Sequence, residues 1–146
     1  MRVVRVLALG TTLVVACVAP ARTAQDYRAD AAETAKQVAA VLASVVLTIE
    51  VAQGEAATAP YLSLRLSESE AAASAAVATF RELQPPTPGS DRLRETLLER
   101  LDTAVEGIEE TRILVRRRAF DQLPPLEGDL RALVAELRGI EAELRG

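Results

Sequence analysis

Apolar residues recur along most of the chain at spacings of three and four, which is the period of an amphipathic α-helix. Four such stretches follow one another, at about residues 24–53, 60–83, 90–118 and 126–145. Short segments rich in proline or glycine separate them. The sequence therefore predicts an all-α protein, folded as an up-down-up-down antiparallel four-helix bundle.

The ends of the predicted helices follow from their capping residues and breakers. Pro60 suits the first turn of the second helix, and Ser90 is a suitable N-cap for the third. Pro124 and Pro125 predict a break before the fourth helix. Residues 45–51 are rich in β-branched side chains and resemble a strand, but no partner strand is evident, so we interpret them as helical. The fourth helix has the strictest pattern, with apolar residues at Leu126, Leu130, Leu133, Leu137, Ile140 and Leu144.

The first 21 residues have the pattern of a signal sequence. Arg2 and Arg5 give a positive start, and residues 6–16 form an uncharged apolar stretch. That stretch is too short for a membrane span, which needs roughly 20 residues. We therefore expect an exported protein with a leader at 1–21 and one helical domain at 22–146.

The only cysteine lies at the end of this apolar stretch. Val14, Val15, Ala16 and Cys17 together resemble the lipobox of bacterial lipoproteins. The resemblance implies cleavage before Cys17 and a diacylglycerol on its thiol, which would hold the protein on the outer face of the cytoplasmic membrane. Residues 19–21, Ala-Pro-Ala, also fit an ordinary cleavage site after Ala21, which would give a secreted protein instead.

Composition excludes several classes of function. The chain has a net charge of −4, and without the leader arginines 15 basic residues oppose 21 acidic ones, giving −6. An acidic domain argues against binding to nucleic acid. Histidine is absent and the single cysteine is in the leader, so the usual catalytic triads and zinc sites are not available. No glycine-rich phosphate loop is present. We expect no enzymatic activity, no metal and no cofactor.

Two charged clusters lie on the third predicted helix. Arg112, Arg116, Arg117 and Arg118 form the only basic cluster of the mature chain. It could engage an anionic component of the cell envelope or a protein partner; alternatively, it neutralises the helix C-terminus and nearby Glu50 and Glu55. An acidic stripe on the same helix falls opposite the leucines, so we expect it to face solvent rather than a cation or a basic partner. Its members are Glu95, Glu99, Asp102, Glu106 and Glu109.

Several segments resemble a family of small predicted lipoproteins of high-GC Gram-positive bacteria. The resemblance covers most of residues 24–140 and rests on breakers and caps, at 59–62 (Ala-Pro-Tyr-Leu), 84–86 (Gln-Pro-Pro), 90–94 (Ser-Asp-Arg-Leu-Arg) and 112–118. It implies an exported helical protein and provides no functional residues to transfer.

Two functions remain open at this point. The first is a lipid-anchored interaction or structural module of the cell envelope. The second is a carrier that holds a small apolar ligand between its helices. The alanine-rich second helix would line such a site, so a carrier is expected to have a cavity beside Ala72, Ala76 and Phe80.

Overall fold

The computed structural model describes residues 23–146, in which four α-helices pack into a helical bundle. The helices are α1 (Ala24–Gln53), α2 (Ala59–Glu82), α3 (Pro88–Arg117) and α4 (Leu123–Arg145). A single 3₁₀ turn at Phe120–Gln122 precedes α4. Residues 23–146 contain no strand, and the β-branched run in α1 is helical. The predicted all-α class and four helices are confirmed.

The predicted leader and its motif residues, Val14, Val15, Ala16 and Cys17, lie outside the described residues. The described chain begins with a capping box at the start of α1. The hydroxyl of Thr23 accepts a hydrogen bond from the backbone N–H of Asp26 at 3.0 Å, and the Asp26 carboxylate accepts one from the backbone N–H of Thr23. This reciprocal pair satisfies two N–H groups that otherwise lack partners at a helix start. Thr23 therefore sets where the first helix begins.

The start of α3 differs from the prediction that placed Ser90 at the N-cap. Thr87 is the N-cap, and its hydroxyl accepts a hydrogen bond from the backbone N–H of Ser90 at 3.2 Å. Pro88 then occupies the first helical position, where its missing N–H costs nothing. Ser90 lies inside the first turn and is only 5% exposed.

The start of α4 corrects a second prediction. Pro124 and Pro125 do not precede the helix but lie in its first turn, which begins at Leu123. The first four N–H groups of a helix have no intrahelical partner, so prolines are tolerated there. The chain instead breaks at Arg118, which has the left-handed backbone conformation with φ of 58°.

The bundle has one apolar core, to which α1 contributes the most buried residues. Two rows of α1 residues are buried, one at Tyr27, Ala31, Val38, Val45 and Ala52 and the other at Ala35, Leu42, Val46 and Ile49. Helix α1 contacts all three other helices, whereas α3 and α4 touch each other sparsely. On α4, Leu130, Leu133 and Leu137 are buried as the heptad pattern predicts, while Leu123 and Val134 are additional core residues.

A ring contact and several ion pairs connect the helices at defined points along the bundle. The rings of Tyr27 and Phe80 lie 5.6 Å apart and connect the start of α1 to the end of α2. Arg81 binds Asp102 of α3 at 2.7 Å. Arg100 binds Glu136 of α4 at 3.1 Å, and Arg145 at the end of α4 binds Glu33 of α1 at 3.1 Å.

Within residues 23–146, α1 is the one helix long and apolar enough to cross a membrane. An 18-residue window in it has a mean hydropathy of 1.6, and 44% of that window is buried in the bundle. A core helix has the same property, because it must supply apolar side chains to several neighbours at once. The buried part of this window belongs to the apolar core of the bundle.

Candidate functional site

Three arginines mark the end of α3. Arg116 and Arg117 form its last turn, and Arg118 is the C-cap, whose backbone N–H reaches the carbonyl oxygens of Leu114 and Val115. All three arginine side chains are exposed. None of the ion pairs among residues 23–146 includes any of them. They form a compact, uncompensated positive patch, called here the arginine patch.

Arg112 belongs to a different contact. Its Nε donates a hydrogen bond to Glu70 Oε2 at 2.5 Å, and both side chains are mostly covered, at 18% and 28% exposure. The hydrogen bond to Glu70 raises the pKa of Arg112, an effect that burial opposes and the charges of Glu70 and Glu109 reinforce. Arg112 therefore links α2 to α3, whereas the other three arginines of the predicted cluster remain accessible.

Neither of the two acidic residues that could neutralise the patch, Glu50 and Glu55, forms an ion pair with it. Glu50 binds Arg131 of α4. Arg131 also binds Glu127 at 2.7 Å, and Gln53 donates a hydrogen bond to the same Glu127 carboxylate at 2.8 Å. The hydrogen bond from Arg131 lowers the pKa of Glu127. Glu55 is exposed, and no ion pair of the described chain includes it. The local ion pairs therefore do not neutralise the arginine patch.

An exposed apolar surface lies where the end of α1 meets the start of α2. Leu47, Val51, Tyr61 and Leu64 are 60%, 38%, 55% and 58% exposed, and they are the large exposed hydrophobic residues of the described chain. The first three line a shallow depression of about 150 Å³. Tyr61 therefore lies outside the apolar core. Exposed apolar residues gathered in one place are typical of interaction surfaces.

This apolar surface was missed at the level of sequence, although a signal for it exists. Residues 38–49 contain no charged side chain, and an amphipathic helix needs polar residues on its outer face. Leu47 belongs to neither of the two buried rows of α1. An uncharged run of more than three helical turns includes residues on every side of the helix. Some of its apolar residues must therefore point outward.

A groove lies between α1 and α2 at the place predicted for a carrier. It has a volume of about 530 Å³ and is lined by Ala72, Ala76 and Phe80, among others. Phe80 is fully buried beneath it, and the walls also carry Thr34, Gln37 and other polar side chains. The groove is open to solvent rather than enclosed by the core.

The acidic stripe of α3 lies on the outside of the bundle. Glu95, Glu99, Glu106 and Glu109 are exposed, and Asp102 is bound to Arg81. Within residues 23–146, no group of three or more Asp, Glu, His or Cys side chains is arranged to hold a metal ion.

Comparison of the chain with protein-family models, with curated proteins and with solved structures finds no match.

Proposed function

We propose that the chain is an exported, lipid-anchored helical module whose arginine patch binds an anionic component of the cell envelope. Its four helices are arranged as an up-down-up-down antiparallel bundle. Contacts between opposite helix ends support this arrangement: Tyr27 of α1 reaches Phe80 of α2, and Arg145 at the end of α4 reaches Glu33 near the start of α1. In such a bundle the patch at the end of α3 and the start of α1 lie at opposite ends of the bundle.

The length of α1 determines how far the patch lies from the anchor. A lipidated Cys17 precedes Thr23, the cap of α1, by only six positions. Helix α1 has 30 residues, which corresponds to about 45 Å at 1.5 Å per residue. The arginine patch is therefore held away from the membrane that carries the anchor. It faces envelope material beyond that membrane.

The observation that carries the proposal is the uncompensated charge of Arg116, Arg117 and Arg118. The mature domain has a net charge of −6, yet these three cations have no ion-pair partner in the described chain. One or two basic residues suffice to compensate a helix C-terminus, whose charge is roughly half a unit. A guanidinium group also binds phosphate and carboxylate in a bidentate manner. An anionic envelope polymer therefore fits this patch.

The test is association of the purified protein with isolated envelope material. Arg116→Glu/Arg117→Glu is expected to abolish association while the helical circular dichroism spectrum is retained. Arg92→Glu/Arg138→Glu is the matched control. It changes the net charge by the same amount, at two exposed arginines that form no ion pair. Association of the native protein is expected to fall steeply from 0.1 to 1 M salt, as the screening length shrinks from about 10 to 3 Å.

The opposite pattern contradicts the proposal. If the arginines only stabilise the fold, the Arg116→Glu/Arg117→Glu variant melts at a lower temperature and associates with envelope material as strongly as the native protein. Equal loss of association in the patch variant and in its control would show that overall charge, rather than this patch, governs binding.

The second candidate function is a carrier for a small apolar ligand. It is favoured by the groove of about 530 Å³ beside Ala72 and Ala76. A carrier purified from its native membrane is expected to release a bound lipid on extraction. Ala76→Leu is expected to fill the groove and to reduce that yield without altering association with the envelope. Absence of any extractable ligand would contradict this function.

A further inference from the structure

One face of α3 carries opposite charges at its two ends. Glu106, Glu110, Ile113 and Arg117 are spaced by four, three and four positions, so they lie along the same side of the helix. The glutamates and Arg117 are exposed, and Ile113 is half-buried between them. The face therefore runs from acidic through apolar to basic toward the end of the helix.

The acidic part of this face borders a groove between α3 and α4. The groove has a volume of about 430 Å³, and Leu126, Leu130 and Gly107 contribute to its lining. Arg100, the one cation of its lining, is bound to Glu136 at 3.1 Å and to Glu99 at 3.4 Å.

Three carboxylates of the groove have no ion-pair partner in the described chain. Glu106, Glu110 and Asp129 take part in none of the ion pairs of the described chain. Like charges four positions apart on a helix repel each other, so Glu106 and Glu110 together favour an incoming cation. The groove thus combines an apolar floor with uncompensated negative charge.

We propose that a second copy of the chain docks on this groove in an antiparallel, two-fold arrangement along α3. Arg117 of each copy then lies beside Glu106, Glu110 and Asp129 of the other copy. The reason is charge complementarity: the face reads acidic–apolar–basic in one direction and basic–apolar–acidic in the reverse. A parallel arrangement would place like charges opposite each other, whereas a two-fold axis matches every acidic end with a basic end.

The geometry of α3 fits this register. Glu106 and Arg117 are 11 positions apart, which corresponds to about 16 Å along the helix axis. A two-fold axis midway between them brings each arginine opposite the glutamate of the other copy. Ile113 lies near that axis, where its half-buried side chain meets the same apolar region of the second copy.

This inference goes beyond the proposed function, because it assigns a second occupant to one arginine of the patch. An anionic envelope component and a second copy would compete for Arg117. Self-association requires the glutamates of the groove, whereas envelope binding does not. Failure of one proposal can therefore be distinguished from failure of the other. Glu106→Lys/Glu110→Lys is expected to weaken self-association and to leave envelope binding intact.

The experiment measures energy transfer between two dyes attached to copies that carry Gly146→Cys. The full chain is purified in detergent with micelles in large excess, so that lipid anchors do not bring copies together. Arg116→Glu/Arg117→Glu and Glu106→Lys/Glu110→Lys are each expected to weaken self-association by about five- to tenfold, since several exposed charge pairs are replaced by like charges. An equal mixture of the two variants is expected to restore energy transfer, because one offers acidic ends and the other basic ends.

Salt provides an independent measurement on the native chain. Association through these charges is expected to weaken between 0.1 and 1 M salt, whereas association through Leu47 and its apolar neighbours would not. Absence of energy transfer in the native chain at low salt would overturn the proposal. So would unchanged transfer in both charge-reversal variants, or a mixture that fails to restore it.

Discussion

Two glycines inside helices provide a matched test of how closely α3 and α4 approach each other. A Cβ atom added to Gly107 would lie 2.7 Å from Leu130 Cδ2, whereas one added to Gly139 would meet nothing within 4 Å. Close packing against a neighbouring helix is the usual reason for a glycine inside a helix. It holds for Gly107 and is wrong for Gly139, which is exposed on α4. The same substitution, glycine to alanine, should therefore stabilise the protein at position 139 and not at position 107.

The magnitudes follow from this geometry. Alanine is more favourable than glycine in a helix by about 0.8–1 kcal/mol, because its backbone loses less entropy on folding. Gly139→Ala should gain most of that amount. At position 107 the same gain is opposed by the overlap with Leu130, since ordinary carbon contacts are about 3.5–4.0 Å long. Leu130 is 2% exposed, so its side chain must shift within the core or toward the groove between α3 and α4 that Gly107 also lines. Overpacking of this kind costs about 1–3 kcal/mol, so Gly107→Ala should be neutral or destabilise by up to about 2 kcal/mol.

The assay is urea unfolding followed by circular dichroism, with thermal melts as a second measurement. A gain of about 1 kcal/mol should raise the melting temperature of a domain of this size by roughly 4 °C. Repeating Gly107→Ala in a Leu130→Ala background removes the overlapping atom, so alanine at 107 should then be stabilising. If Gly107→Ala raises the midpoint as much as Gly139→Ala in the otherwise native chain, the close α3–α4 approach at this glycine is refuted.

Three further predictions concern the anchor, the core and the α1–α4 ion pairs. Cys17→Ser is expected to abolish palmitate labelling and partition into detergent, and an unacylated N-terminus at Arg22 in the native protein would contradict the anchor. Leu137 is fully buried, so Leu137→Ala should cost about 2–5 kcal/mol in urea unfolding; an unchanged midpoint would mean that α4 is not docked at this residue. The hydrogen bond from Arg131 lowers the pKa of Glu127 below its ordinary 4.5, so its stabilising effect is complete above that pH and is lost as the pH falls through the lowered pKa. Melting temperatures measured against pH should therefore fall less steeply in acid for Glu127→Gln than for the native chain.

The sequence by itself was sufficient to establish the helices and most of their inner faces. A helix repeats every 3.6 residues, so the spacing of apolar side chains records which side is buried without any knowledge of the neighbours. This is why the predicted leucines at 130, 133 and 137 are in the core. Helix starts were less certain. Threonine and serine both cap helices, and the choice of Thr87 over Ser90 depends on which backbone N–H the hydroxyl reaches.

The candidate surfaces depended on tertiary structure to a greater degree. The sequence grouped four arginines, but only the packing of α2 against α3 brings Glu70 to Arg112, 42 positions away, and leaves the other three without partners. The same holds for Glu50, which Arg131 binds from 81 positions away. Pairings over such separations are not encoded in local periodicity.

The two glycines and Leu47 also show the difference between what the sequence determines and what tertiary structure decides. Helix propensity treats Gly107 and Gly139 alike, yet only one of them faces a buried side chain of a neighbouring helix. Leu47 is as apolar as the core residues beside it, but α2 and α4 cover the flanks of α1 and leave its outer side exposed. Hydrophobic spacing determines which residues prefer burial, and the number and placement of neighbouring helices decide which of them are buried.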